Sequence, residues 1–236
     1  MLKDIWNKLT GRRRQVLFLG DSHVKYFERA VHLHILSPGR RYRPCIVGGA
    51  TAVGLRNPNS ATDALNYFRK FLRKHPAKAI AVFHMGEVDC GFVIWHRAQR
   101  LGESIDTQVE ESLAAYMDFV DEVIGTHGHE AIMTAATVPT IPDGHIWGDV
   151  ATKRKEVTAS LAERTALTRR YNEELAQRCK ARGIPFLDIT AEVIDPHTGV
   201  VSTALMNSDP KDHHLEYEPM ARLWAAKLNP ILDRLD

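Results

Sequence analysis

Chemistry in this sequence starts from a serine. Ser22 closes the stretch Val16-Leu17-Phe18-Leu19-Gly20-Asp21-Ser22-His23, in which an apolar run of strand length breaks off at Gly-Asp-Ser. A buried parallel strand delivers side chains in this way to the carboxyl edge of an α/β sheet, where ligands bind. Taken alone, Asp21 and Ser22 also serve as helix N-caps, so the remaining strand ends must decide. Gly48-Gly49 follows a second short apolar run, Glu87 and Asp89 follow a third, and His213-His214 lies beyond a fifth. A serine hydroxyl becomes a nucleophile when an imidazole accepts its proton and a carboxylate orients that imidazole. Those residue types converge only if all these strand ends lie on one rim.

The elements that must position them alternate regularly. Strands are expected at 16–20, 43–47, 79–85, 131–138 and 184–189. Helical spacing links Val24, Phe27 and Val31; Ala64, Leu65, Phe68, Phe71 and Leu72; Val109, Leu113, Tyr116, Val120 and Val123; Leu167, Tyr171, Leu175 and Cys179; and Met220, Leu223, Trp224 and Leu228. Ser60 is the expected cap of the second helix, and Gly125 the expected stop of the third. Residues 92–104 show no clean period and read as a lid or substrate loop, with Trp95 within it. Residues 139–158 form the longest expected loop. The alternation implies one α/β domain over residues 16–236, a three-layer sandwich whose five-stranded parallel sheet is flanked by helices. Residues 1–15 precede it as a basic amphipathic lead-in, with Leu2, Ile5, Trp6 and Leu9 on one face.

Composition narrows the function classes. The 236 residues carry 31 Lys and Arg against 29 Asp and Glu, so nucleic acid is not an expected partner. No apolar run approaches a membrane span, and the first residues lack the apolar centre of a signal peptide, so a cytoplasmic location is expected. The cysteines, Cys45, Cys90 and Cys179, are three and far apart, which argues against a disulfide framework or zinc knuckle. Neither a metal nor a cofactor is expected.

Taken together the blocks resemble the SGNH/GDSL hydrolase superfamily. Gly20-Asp21-Ser22 is similar to its nucleophile block, Gly49-Ala50-Thr51 with Gly54-Leu55 to its glycine block, and Asp212/His214 to its acid and base block; Tyr171-Asn172 and Gly183 to Asp188 resemble its penultimate helix and strand. The resemblance implies a flavodoxin-like sheet, Ser22 as nucleophile, His214 as base and Asp212 as its partner, with Asp209 as the other carboxylate the spacing leaves open. It implies an oxyanion site of the Ser22 and Gly49 backbone N–H groups. In the third block, Gly86-Glu87-Val88-Asp89, Val88 stands where the family carries an oxyanion-donating Asn, and an aliphatic chain donates nothing. Loop N–H groups, His84 or His96 are the substitutes at hand. Glu87, Asp89 and Trp95 are the expected substrate contacts. The expected activity is hydrolysis of small acyl esters or O-acetylated carbohydrate through an acyl-enzyme, with acyl transfer using the same residues. Two other readings remain: a glycan-binding scaffold with a degenerate site, and a metal-dependent phosphoesterase built on Asp21, His23, Glu87 and Asp89.

Overall fold

In a computed structural model, which describes residues 13–75, 78–144 and 157–235, the five apolar runs form β1 (Val16–Gly20), β2 (Tyr42–Ile46), β3 (Ile80–His84), β4 (Glu130–Thr134) and β5 (Phe186–Leu187). Their order is β2-β1-β3-β4-β5, and every neighbouring pair is parallel. The helices are α1 (Lys25–His32), α2 (Ala64–Arg73), α3 (Ile94–Leu101), α4 (Ile105–His127), α5 (Leu161–Ala181), α6 (Thr190–Val193) and α7 (Tyr217–Arg234). The expected lead-in falls almost entirely outside the described residues.

Side chains alternate across the strands, so the central pair feeds two cores. Leu17, Leu19, Ala81 and Phe83 pack with Phe68 of α2, Leu113 and Val120 of α4, and Leu175 of α5. Val16, Phe18, Ile80 and Val82 pack on the opposite face with Phe27 of α1 and with Trp224 and Leu228 of α7. Phe18 stacks on Phe27 with ring centres 4.8 Å apart. Each large side chain buried in this way contributes about 1.5–3 kcal/mol. The result is the expected α/β three-layer sandwich with a five-stranded parallel sheet.

Three local expectations are corrected. Helix α2 starts after Asp63, whose backbone is left-handed at φ 51°, so Ser60 lies in the preceding turn rather than at the cap. Helix α4 runs through Gly125 and stops at Gly128, which takes φ 63° and donates to the Ile124 carbonyl; the stop needs a left-handed residue, whereas Gly125 is tolerated inside the helix. Residues 92–104 are no open loop: a π-helical turn, Asp89–Val93, runs into α3. A wide turn shifts the helical phase, which is why no 3.6-residue period is visible there. No described helix is long and apolar enough to cross a membrane.

The strand order reverses around β1, with β2 on one side and β3 on the other. A crevice opens beyond the carboxyl ends of strands at such a point, and Ser22 is two residues past β1.

Candidate active site

Asp21 resolves the ambiguity of Gly-Asp-Ser. Its carboxylate accepts the His23 backbone N–H at 2.8 Å and faces His23 Nδ1 at 2.9 Å, capping the short 3₁₀ turn Ser22–Val24 that leads into α1. The capping duty belongs to Asp21, which leaves the Ser22 hydroxyl for another partner. Ser22 Oγ lies 2.8 Å from His214 Nε2, across 192 residues of chain.

His214 precedes α7 on a segment held at several points. Leu215 donates its N–H to the Tyr26 hydroxyl at 2.9 Å, and Glu216 donates to the Leu205 carbonyl. Asp212 Oδ1 accepts the His214 backbone N–H at 3.0 Å and faces His214 Nδ1 at 2.5 Å. Its Oδ2 accepts from the Tyr217 hydroxyl at 3.0 Å and from Asn207 at 3.4 Å. A carboxylate only accepts, so the ring proton sits on Nδ1, and Nε2 keeps its lone pair toward Ser22. Of the two carboxylates left open by the spacing, Asp212 meets the ring; Asp209 turns to the Lys211 N–H.

Burial, reinforced by the neighbouring His23, holds His214 down to about 4 against the opposing pull of Asp212. The imidazole is therefore neutral at pH 7, as a proton acceptor must be. Burial pushes Asp212 up, but the backbone N–H and ring of His214 outweigh it and keep the carboxyl below its usual range.

The glycine loop after β2 is tied from beneath. Gly49 takes φ 72° and is exposed. Asp89, 0% exposed, accepts the N–H groups of Ala52 at 2.7 Å and Val53 at 3.1 Å and the Ser112 hydroxyl at 2.9 Å. Burial pushes Asp89 up to about 6, opposed by these three donors. The expectation that Asp89 contacts substrate is thus corrected: its oxygens are spent inside the protein, where they shape the loop that presents Gly49. Replacing Asp89 by alanine is expected to lower stability by about 3 kcal/mol or more, because Ala52, Val53 and Ser112 lose a shared buried acceptor; urea unfolding of the variant measures this.

The other expected contacts are placed as follows. Glu87 is buried beside the π turn. Trp95 is half-buried, its indole N–H donates to the Cys90 carbonyl at 2.8 Å, and one face lines a surface hollow with Ala98, Ile105 and Val157. His84 is no oxyanion donor. Thr134 donates to the Phe83 carbonyl at 2.9 Å and so accepts from His84 Nδ1 at 2.6 Å, which leaves His84 Nε2 to accept from Thr137. His96 stacks on Phe92. Val88 lies in the turn before the π helix and brings no donor.

Sequence reading missed four positioning residues: Tyr26, Tyr217, Asn207 and Ser112. Tyr26 stands one helical turn after Ser22, a spacing that was available as a signal; the others depend on long-range packing. Asn172, quoted from the penultimate helix, clasps Ala136 through both its N–H and carbonyl, at 2.8 and 3.0 Å, and so anchors α5 to the segment after β4.

The residues that a two-metal phosphoesterase would need are not gathered. Asp21 and His23 bond each other, Asp89 is enclosed, and among the described residues the cluster that could hold an ion is Asp212, His213 and His214.

No protein-family model matches the sequence, and no curated protein matches it. Solved structures do. A carbohydrate acetylesterase family member from Sinorhizobium meliloti superposes with a TM-score of 0.60 at 12% identity, over 94% of this chain and 98% of that one. A GDSL-like lipase from Bacteroides thetaiotaomicron VPI-5482 gives 0.57 at 14% identity, over 94% and 88%. A second carbohydrate acetylesterase from Sinorhizobium meliloti gives 0.54 at 15% identity, over 94% and 98%. With the sheet order, the layers and the strand ends described above, these likenesses establish that the chain has the SGNH/GDSL hydrolase fold.

Proposed function

We propose that the protein is a serine ester hydrolase. The observation that carries this reading is the unbroken hydrogen-bond chain from Ser22 Oγ through His214 to Asp212. Ser22 Oγ attacks the ester carbonyl carbon while His214 Nε2 takes its proton, and Asp212 stabilises the imidazolium. The backbone N–H groups of Ser22 and Gly49 face the oxyanion, and glycine at 49 lets the backbone approach closely. Collapse passes the proton from His214 to the leaving alkoxide and leaves an acyl-Ser22, which water or a sugar hydroxyl then attacks. Small acyl esters and O-acetylated carbohydrate are the substrates we infer; the carbohydrate acetylesterases among the similar structures support this class.

Mass spectrometry after incubation with activated acyl esters and a fluorophosphonate tests the mechanism. An adduct on Ser22 in the parent and none in Ser22→Ala is expected. Absence of any adduct, with glycan binding retained, favours the scaffold reading that Val88 supports, since one missing oxyanion donor typically lowers the rate about 10²–10³-fold.

The pH profile is a second test. A histidine whose charge is suppressed by burial stays an active base well below its ordinary range, so kcat/KM is expected to hold from neutrality to about pH 5 and to fall with an inflection near about 4. An inflection near about 6.5, the ordinary histidine value, contradicts the buried, neutral His214. Stability moves in the same direction. His84, held down to about 3, and His129, held down to about 4, bind protons only on unfolding as pH drops below the ordinary histidine range, so the fold weakens on acidification. Asp89, raised to about 6, opposes this with the opposite sign, and His84, His129 and His214 together outweigh it. Thermal melts at about pH 7 and pH 5 read the difference, with the lower melting temperature expected at the acid value.

A further inference from the structure

The serine mechanism uses one histidine of the pair, yet the chain presents two in succession beside the acid. The ring centres of His213 and His214 are 4.3 Å apart, and one ligand atom from each of Asp212, His213 and His214 lies within 4.8 Å of the others. Asp212 and His213 are half-buried and reachable from solvent, whereas His214 is buried. The three residues sit on irregular chain between the Asp209 turn and α7, and their ligand atoms lie within 4.8 Å of one another; to reach the separation of about 3.3 Å that tetrahedral zinc requires, Asp212 and His213 must turn toward His214, whose ring stays on Ser22. Two imidazoles and a carboxylate suit zinc or a neighbouring divalent transition ion, and not magnesium or calcium.

We propose that Asp212, His213 and His214 form an inhibitory zinc site. It rests on the esterase reading only for its consequence, not for the site itself. The metal takes the place of the hydrogen between Asp212 and His214 Nδ1: the Nδ1–H bond breaks, an Nδ1–Zn bond forms, and the proton passes through solvent to the Nε2 lone pair, so the ring stays neutral and no net proton is released. No electrons are transferred. A neutral imidazole ligated through Nδ1 carries its single hydrogen on Nε2. That hydrogen then points at Ser22 Oγ, and the lone pair that would take the serine proton is gone. Zinc thereby holds His214 in the tautomer that cannot act as a base, and a chelator restores it. Chelation raising the rate is the reverse of what a metal-dependent phosphoesterase shows.

The test uses the full chain with zinc chloride. Titration calorimetry is run on the parent, Ser22→Ala and His213→Ala; hydrolysis of p-nitrophenyl acetate is followed in parallel, each variant normalised to its own metal-free rate; and long-range proton–nitrogen NMR reads the His214 ring. Ser22→Ala is expected to bind zinc like the parent, His213→Ala to bind roughly tenfold or more weakly, and zinc inhibition to weaken by the same factor in His213→Ala. On zinc addition the His214 hydrogen is expected to move from Nδ1 to Nε2. Equal affinity in His213→Ala, an unchanged His214 tautomer in the zinc-bound protein, or a rate indifferent to or raised by zinc overturns the proposal. A parent that hydrolyses no ester overturns the esterase reading instead, and the calorimetry and ring spectrum then decide the metal site on their own.

Discussion

Ser22→Ala is expected to lower kcat for ester hydrolysis by about 10³–10⁶-fold while leaving the melting temperature nearly unchanged. Ser22 is half-exposed, and its hydroxyl bonds His214 Nε2 alone among the described side chains. On the proposed mechanism its removal takes away the nucleophile, at the cost of the one part-buried hydrogen bond to His214 Nε2. On the proposed mechanism, the backbone N–H pair at Ser22 and Gly49 and the binding the crevice provides remain and account for a residual rate. His214→Ala is expected to cost a similar factor, and the double variant little more than either alone, because nucleophile and base act as one unit. Steady-state kinetics on the three variants, with circular dichroism to verify the fold, decide this. Retention of more than about a tenth of the parental rate by Ser22→Ala, against the expected factor, would place the nucleophile elsewhere.

The largest stability effect is expected two residues earlier. A Cβ at Gly20 falls 1.9 Å from the His84 carbonyl oxygen and 2.8 Å from Val24 Cγ2. The carbonyl is backbone of β3, paired to β1 in a register that aligns Gly20 with His84, so it cannot rotate aside. Gly20→Ala is therefore expected to lose about 4 kcal/mol or more, in the range of the most damaging core substitutions. Ester hydrolysis is expected to fall with it, because parting β1 from β3 moves Ser22 relative to His214. Gly48→Ala is the matched control: a Cβ there meets nothing within 4 Å, and its stability is expected to stay within about 0.5 kcal/mol of the parent, as for surface substitutions generally. Urea unfolding of the two variants side by side separates a glycine needed for contact from one that is not.

This contrast also marks how far the chain could be read directly. Apolar runs of strand length alternating with 3.6-residue stripes determined the class, the parallel sheet and the rim on which Ser22, the glycine loop and the late histidines would meet. Those signals are local: burial on both faces of β1 and β3 requires continuous apolar runs, and burial on one face of a helix requires a stripe. Residues 92–104 were unreadable because the π turn at Asp89–Val93 breaks the helical phase. The stop of α4 was misplaced by three residues because a helix tolerates Gly125 but ends only where Gly128 turns left-handed.

Gly-Asp-Ser shows the division most plainly. By itself the sequence determined that a strand ends at Gly20 and that a polar triplet follows it at a sheet edge. It left Asp21 and Ser22 both as candidates for a cap, favoured Asp212 as the acid with Asp209 still open, and offered Asp89 as a substrate contact. Tertiary structure decided each case: Asp21 bonds His23, Asp212 meets His214, and Asp89 turns inward to Ala52 and Val53. The reason is physical. Which acceptor a donor finds depends on groups brought within about 3 Å by packing, across separations such as the 192 residues between Ser22 and His214, and no local spacing in the chain encodes that distance.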